Sequence, residues 1–237
     1  MKSIMATSLK CVLIFLASGL LLACKPDATS KTKELPKPAD TEANAADAFL
    51  NLPGDYAQKT TVAELEARFG VANVRREAGE SPCVILFPDD PTRRATITFH
   101  EAAELKEISR ITVDDPASYW RGKLGVHVGM TLAELRKLNG KDFFLSGFDE
   151  QLRARALDGW SPATDDDDGG KLGAFDVAEG DHLYFEVELG VIDPTRLKTA
   201  LPDEFQLSSG DPRLLELGEL IKVTGIGASS SLDDEWE

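Results

Sequence analysis

The chain has 237 residues, of which 41 are acidic and 26 are basic, so its formal net charge at pH 7 is −15. A surface this negative repels nucleic-acid phosphates and anionic lipid headgroups, which argues against binding to either. Of the three cysteines, Cys11 lies in the predicted export signal and Cys24 is the predicted lipid site, so Cys83 has no intramolecular partner and no disulfide framework is predicted.

The first predicted element is an export signal. Lys2 and Lys10 supply positive charge, and an almost entirely apolar run follows from Cys11 to Leu22. This run is shorter than the roughly 20 residues that a membrane-spanning helix needs. We therefore predict that residues 1–23 are a cleaved signal peptide.

The segment Leu21-Leu22-Ala23-Cys24 ends the apolar run and resembles the lipobox of bacterial lipoproteins. The resemblance implies that the Cys24 thiol carries a diacylglycerol and that the new amino terminus is also acylated. Because each buried methylene contributes about 0.8 kcal/mol, two or three acyl chains attach a protein to a bilayer effectively permanently. Lys25 replaces the aspartate that retains enterobacterial lipoproteins in the inner membrane. We therefore expect an outer-membrane anchor that faces the periplasm, with surface display as an alternative.

Residues 24–47 comprise the predicted lipidated cysteine and a polar linker that follows it. It is rich in Lys, Pro, Ala, Thr, Asp and Glu and has no aromatic residue. Such a composition cannot bury enough apolar surface to fold. We predict a disordered tether whose ends lie about 25 Å apart on average.

Two segments of the remaining chain are similar to each other. Residues 61–70, TVAELEARFG, and residues 131–140, TLAELRKLNG, match at five of ten positions. In each, a T-x-x-E capping box satisfies the first amides of a helix, and a final glycine supplies the left-handed residue that ends it. The predicted caps and ends are Thr61 with Glu64 and Gly70, and Thr131 with Glu134 and Gly140. The predicted apolar stripes are Val62, Leu65 and Phe69, and Leu132, Leu135 and Leu138.

Strand patterns follow each helix. The clearest is HLYFEVELG, in which alternating apolar residues face a core and the residues between them face water. The residues of this strand predicted to face the core are Leu183, Phe185, Val187 and Leu189. Those predicted to face solvent are His182, Tyr184, Glu186 and Glu188. The other predicted strands are CVILF, ATITFH, ISRITV, DFFLSGF and ELIKVTGIG. This order predicts an α+β fold of two repeats, residues 48–120 and 121–237, each a short helix with an antiparallel sheet covered on one side.

Residues 128–141, VGMTLAELRKLNGK, resemble the helix opening of the small envelope lipoproteins of the SmpA/OmlA (BamE-like) type. They also resemble the related β-lactamase-inhibitor-protein fold, which has two such units in tandem. The first copy departs from the pattern, because Lys59 and Thr60 stand where Gly-Met is expected. Envelope lipoproteins of unknown activity with a GMTLxELxxLNGKxF segment are similar as well. The resemblance implies a tandem α+β module.

An acidic cluster, Asp165 to Asp168 followed by two glycines, is the most conspicuous candidate for ion binding. An EF-hand that begins at Asp165 would need a ligand at position 5, which is Gly169, and a glutamate at position 12, which is Asp176. The cluster is therefore interpreted as a solvated loop. A weak calcium site of another type is the alternative.

No pattern of catalytic residues is apparent. His100, His127 and His182 lie far apart and show no metal-ligand spacing, so neither a metal site nor a cofactor is predicted. We do not expect an enzyme. The alternative is an envelope enzyme of unrecognised type that uses His182, Glu186 and Glu188 on one strand face.

Two tryptophans stand in predicted loops. Trp120 and Trp160 are candidate partner-binding residues, because interfaces are often anchored by tryptophan. Packing over the sheet edge is the alternative for both. Cys83 lies in a predicted strand and is interpreted as a buried, inert thiol.

These observations predict an outer-membrane-anchored lipoprotein with a periplasmic protein-binding module. Its expected partners are the membrane, through the lipid on Cys24, and a protein of unknown identity, with no nucleic acid. Envelope assembly and enzyme inhibition are the two roles that the resemblance suggests.

Overall fold

A computed structural model of the chain describes residues 49–157, 170–172, 183–198 and 200–230. These residues all belong to one unit, residues 41–237. Several predicted features lie outside the described residues: the signal peptide, Cys24, the linker, Trp160, Asp165 to Asp168 and His182.

Antiparallel strands dominate the described part of the chain. Three α-helices are present there: α1 (Val62–Phe69), α2 (Leu132–Asn139) and α3 (Pro212–Leu215). Nine strands accompany them: β1 (Val74–Glu77), β2 (Cys83–Leu86), β3 (Ala95–Glu101), β4 (Lys106–Val113), β5 (Phe144–Ser146), β6 (Arg153–Arg155), β7 (Tyr184–Val191), β8 (Gln206–Ser208) and β9 (Ile221–Ser229). The predicted α+β class is confirmed. Strands β1, β6 and β8 were not predicted from the sequence.

Seven of these strands form one sheet in the order β1-β2-β3-β4-β9-β7-β6, and β5 pairs with β8 in a small second sheet. All of these strand pairs are antiparallel. Strand β4, from the first predicted repeat, pairs with β9, from the second, with Ile111 opposite Ala228. Residues of both predicted repeats therefore build a single sheet.

Both predicted capping boxes are present. The Thr61 and Thr131 hydroxyls accept from the amides of Glu64 and Glu134, and each glutamate accepts from its threonine amide, at 2.7 and 2.8 Å. The two helix ends differ. Gly140 is left-handed (φ 82°, ψ −7°), as predicted, whereas Gly70 has φ 86° with an extended ψ of 142°.

The core lies between the helices and one side of the large sheet. Leu65 on α1 and Leu135 on α2 are fully buried, as are Ile97, Ile111 and Leu189 of the sheet. The predicted alternation of β7 is confirmed, because Leu183, Phe185, Val187 and Leu189 are all at most 4% exposed. The helices thus cover one side of the sheet, and polar residues occupy the other.

The second helix buries a residue that was not predicted. Leu138 is only partly buried, while its neighbour Asn139 is 0% exposed. The Asn139 side chain donates to the carbonyl of Lys141 at 2.9 Å and accepts from the amide of Leu172 at 3.0 Å. A Cβ at Gly170 would lie only 2.1 Å from the Asn139 Oδ1. Asn139 therefore attaches residues 170–172 to the end of α2, and a glycine makes this approach possible.

Candidate functional site

The side of the large sheet away from the helices carries mainly polar residues, and we call it the polar face. Pairing register places one row across six strands: Arg75, Ile85, Thr96, Thr112, Gly227 and Glu186. Adjacent rows add Glu77, Cys83, Thr98, His100, Arg110, Tyr184, Glu188, Gly225, Arg153 and Arg155. Because side chains alternate along each strand, these residues share one side of the sheet.

The centre of the polar face is an ion pair between non-adjacent strands. Arg110 on β4 and Glu186 on β7 approach to 3.1 Å, although β9 lies between their strands. On β9, Gly227 is paired with Glu186, and Ser229 is paired with Arg110. A Cβ at Gly227 would lie 3.5 Å from the Glu186 Oε2 and 2.8 Å from the carbonyl oxygen of Ile111.

A second polar cluster lies beside the first. Glu188 accepts from Arg153 at 3.2 Å and from the hydroxyl of Thr224 at 3.0 Å. A register shift in the pairing of β7 and β9 at Glu188 places Thr224 within reach. Both glutamates of the proposed enzymatic set are therefore engaged by neighbouring side chains. Their predicted partner His182 lies outside the described residues.

His100 meets a hydroxyl group at the end of the sheet. Its Nε2 lies 2.5 Å from the Oγ of Ser230, which follows β9. This is the contact that a serine nucleophile and its base would make. Among the described residues no carboxylate hydrogen-bonds to His100, so the third member of a Ser-His-Asp set is not found there. The contact joins β3 to the residue that follows β9.

The polar face is nearly balanced in charge, in contrast to the chain as a whole. It carries Arg75, Arg110, Arg153 and Arg155 against Glu77, Glu186 and Glu188. Thr98, His100 and Thr112 are exposed between these charged groups. A strongly acidic protein therefore presents a mixed, largely self-paired surface here.

Trp120 is in the core, so its candidate role as a partner-binding residue is corrected in favour of the alternative, packing within the fold. It is 0% exposed, and its indole N–H donates to the carbonyl of Arg93 at 2.8 Å. The loop that carries it packs against the start of the folded region, where Asn51 pairs with Arg121. Sequence context alone could not reveal this contact between distant segments.

Cys83 lies at the margin of the polar face and is half-buried rather than buried. Burial and, to a smaller extent, the neighbouring carboxylate of Glu77 raise the pKa of its thiol. A raised pKa disfavours the thiolate, which is the reactive form. The geometry thus gives no support for a nucleophilic role of Cys83.

Metal-binding geometry is absent from the part of the chain that the structure describes, since no three His, Cys, Asp or Glu side chains converge there. His127 is half-buried, and its Nδ1 lies 2.9 Å from the carbonyl oxygen of Val128.

Among the residues that the structure describes, no helix is both long and apolar enough to cross a bilayer.

Comparison of the chain with protein-family models, with curated proteins and with solved structures finds no match.

Proposed function

We propose that this protein is an outer-membrane-anchored lipoprotein whose folded region binds another protein through the polar face. The observation that carries the proposal is the row of mainly polar residues that crosses six strands, interrupted by Ile85 and Gly227, with exposed Thr112 near its centre. A surface that extends over six strands suits a protein partner better than a small molecule, which needs a concave site.

The charge pattern supports the same role. Non-obligate protein interfaces are about as polar as the rest of a protein surface. On the polar face the charges are paired across strands, as in Arg110 with Glu186 and Arg153 with Glu188. A partner therefore meets a nearly neutral surface, whereas the net charge of −15 repels acidic molecules from the chain as a whole.

The first described residues of the folded region lie on the helix-covered side of the sheet. Phe49, the first described residue, packs edge-on against Phe69 of α1, with ring centroids 6.2 Å apart. The guanidinium of Arg68 lies over the Phe49 ring at 4.6 Å. Phe49 is thus held on the side of the sheet that the helices cover.

The lipid on Cys24 would confine this surface to a membrane and raise its effective concentration near membrane partners. Mass spectrometry of the amino-terminal peptide, purified from the native host, tests the anchor. We expect a peptide that begins at Cys24 and carries acyl mass. A Cys24 without acyl mass would contradict the anchored part of the proposal.

Affinity capture from solubilised membranes tests the binding part. We expect a protein captured by the native chain to be lost with Thr112→Arg, which places a bulky cation on the polar face. Ala67→Arg is the matched control, because Ala67 is exposed on α1 on the opposite side of the sheet. Equal capture by the native chain and both variants would contradict binding through the polar face.

An enzyme-inhibiting role and an assembly role would both use the polar face, and the identity of the captured protein would distinguish the two roles.

The calcium-binding alternative is tested by calorimetric titration of the full chain with calcium. Heat that saturates and disappears when Asp165 to Asp168 are replaced by Asn would favour that alternative.

A further inference from the structure

The two edges of the large sheet differ in how their backbone groups are satisfied. Strand β6 ends the sheet on one side and β1 ends it on the other. The outward backbone groups of β6 are covered by its own chain. The amide of Arg155 donates to the Ser146 Oγ at 2.9 Å. The carbonyl of Arg153 accepts from the amide of Asp149 at 2.8 Å. The β6 edge is therefore closed.

The β1 edge is open. The amide of Phe87 donates to the carbonyl of Asn73 at 2.8 Å. In the same register, Arg75 is opposite Ile85 of β2. Because bonded and non-bonded pairs alternate in an antiparallel ladder, the backbone groups of Arg75 face β2 and those of Arg76 face outward. Neither the amide nor the carbonyl of Arg76 has a partner among the residues that the structure describes. An uncovered strand edge of this kind can accept another strand.

The side chains of β1 carry a charge pattern that is complementary to itself. Arg75 and Glu77 both lie on the polar face, and the Arg75 Nε is 2.6 Å from the Glu77 Oε1. Each is one residue away from Arg76. If two β1 strands pair antiparallel about a twofold axis at Arg76, Arg75 of each copy therefore lies opposite Glu77 of the other. The two Arg76 residues then exchange two backbone hydrogen bonds across the axis.

Charge selects this register over the neighbouring ones. Moving the axis by one residue along β1 places either Arg75 opposite Arg75 or Glu77 opposite Glu77. Like charges directly opposite each other destabilise a strand pair, whereas unlike charges stabilise it. The axis at Arg76 is the position that pairs unlike charges on the polar face.

The helix-covered side of β1 is compatible with the same axis. Arg76 would lie opposite its own copy there, but each Arg76 already pairs with Glu66 of α1 at 2.5 Å. The two arginines and two glutamates on this side carry no net charge. The polar-face side of the axis is balanced in the same way.

We infer that a second copy of this chain docks on the β1 edge and that the two large sheets join antiparallel about a twofold axis at Arg76. Joining the sheets in this way keeps both polar faces on one side and doubles their extent. A four-residue strand buries less than the roughly 1,200–2,000 Å² of a stable interface, so the dimer is weak and reversible. The inference goes beyond the proposed protein-binding role and does not depend on it.

Sedimentation equilibrium of the full chain tests the inference. The chain carries Cys24→Ala, so that clustering of attached acyl chains cannot join two copies. We expect a reversible monomer–dimer equilibrium at protein concentrations up to about 1 mM. Amide hydrogen exchange at Arg76 should slow as the concentration rises. Exchange at Arg75, whose amide already faces β2, should change less.

Charge exchange tests the register. Arg75→Glu and Glu77→Arg each place like charges opposite each other, so each should weaken dimerisation at least about fivefold. A mixture of the two variants pairs unlike charges again and should form a heterodimer about as tight as the native dimer. The two side chains are 49% and 43% exposed, so both variants should remain folded.

Two controls accompany these variants. Arg153→Glu makes the same change of charge on the opposite edge strand, β6, and should dimerise like the native chain. Thr112→Arg, the variant that tests the polar face, lies on β4 and should also dimerise normally, so the two proposals can fail separately.

Three results would overturn the inference. The first is a chain that stays monomeric at about 1 mM. The second is a mixture of Arg75→Glu with Glu77→Arg that associates no better than either variant alone. The third is an equal loss of dimerisation in Arg153→Glu and Arg75→Glu.

Discussion

Arg110 of β4 and Glu186 of β7 form an ion pair across β9, with the Arg110 Nε 3.1 Å from the Glu186 Oε2. On β9, Gly227 is paired with Glu186 and Ser229 is paired with Arg110. The centre of the polar face is therefore a contact between side chains of two strands that are not neighbours.

Gly227→Ala should destabilise the protein by about 1–3 kcal/mol, because the new Cβ would lie 2.8 Å from the carbonyl oxygen of Ile111. Urea unfolding measures this change. Gly225→Ala is the control: it lies on the same strand and the same face, but its Cβ would have ordinary contacts of 3.6 Å or more. Equal unfolding free energies for the two variants would contradict the steric requirement for glycine at position 227.

Asn139→Ala should cost about 1–3 kcal/mol of unfolding free energy. It removes a fully buried side chain and leaves the amide of Leu172 and the carbonyl of Lys141 without their partner. Hydrogen exchange at Leu172 should accelerate in this variant relative to the rest of the sheet. Unchanged protection of that amide would mean that Asn139 does not hold residues 170–172.

Acid should weaken the start of α2. Hydrogen bonds from the backbone amide and then the hydroxyl of Thr131 lower the pKa of Glu134. A lowered folded-state pKa means that this stabilisation is complete above the ordinary glutamate pKa of about 4.3 and is lost as the pH falls through the folded-state value.

Glu134→Gln keeps an acceptor for Thr131 but does not titrate. We therefore expect the native chain to be the more stable of the two at pH 7 and the difference to shrink toward pH 3. Chemical unfolding at both pH values measures it. A difference that is constant or grows at low pH would contradict the assignment.

Trp120→Phe should destabilise the fold by about 1–3 kcal/mol, because the carbonyl of Arg93 loses the indole N–H that donates to it. Partner capture under native conditions should be retained, since Trp120 is fully buried. Thermal unfolding and capture, measured on the same preparation, separate the two effects. Loss of partner capture with unchanged stability would contradict the structural role of Trp120 and support a role in partner binding.

Local features of the fold were predictable from the sequence. The capping boxes of Thr61 and Thr131 involve residues three apart, and the alternation of β7 is contained within one strand. The physical cause of each feature lies within a few residues, so the sequence pattern reports it directly. The α+β class follows from these elements and their order.

Long-range features were not predictable in the same way. The pairing of Ile111 with Ala228 joins β4 to β9 and merges the strands of both predicted repeats into one sheet. The burial of Trp120 depends on residues near Asn51, and the role of Asn139 depends on residues 170–172. Each arises from a contact between segments that are distant in sequence. A pattern within a few residues cannot indicate such a contact.

Only part of the polar face was predicted from the sequence. Glu186 and Glu188 were predicted to face water, but their partners Arg110 and Arg153 come from other strands.

Site-specific photo-cross-linking in intact membranes tests protein binding through the polar face most directly. A photoreactive amino acid would replace Thr112 at the centre of the polar face or Ala67 on the outer side of α1. We predict a discrete protein adduct from position 112 and none from position 67. No adduct at position 112, or the same adducts at both positions, would contradict binding through this face.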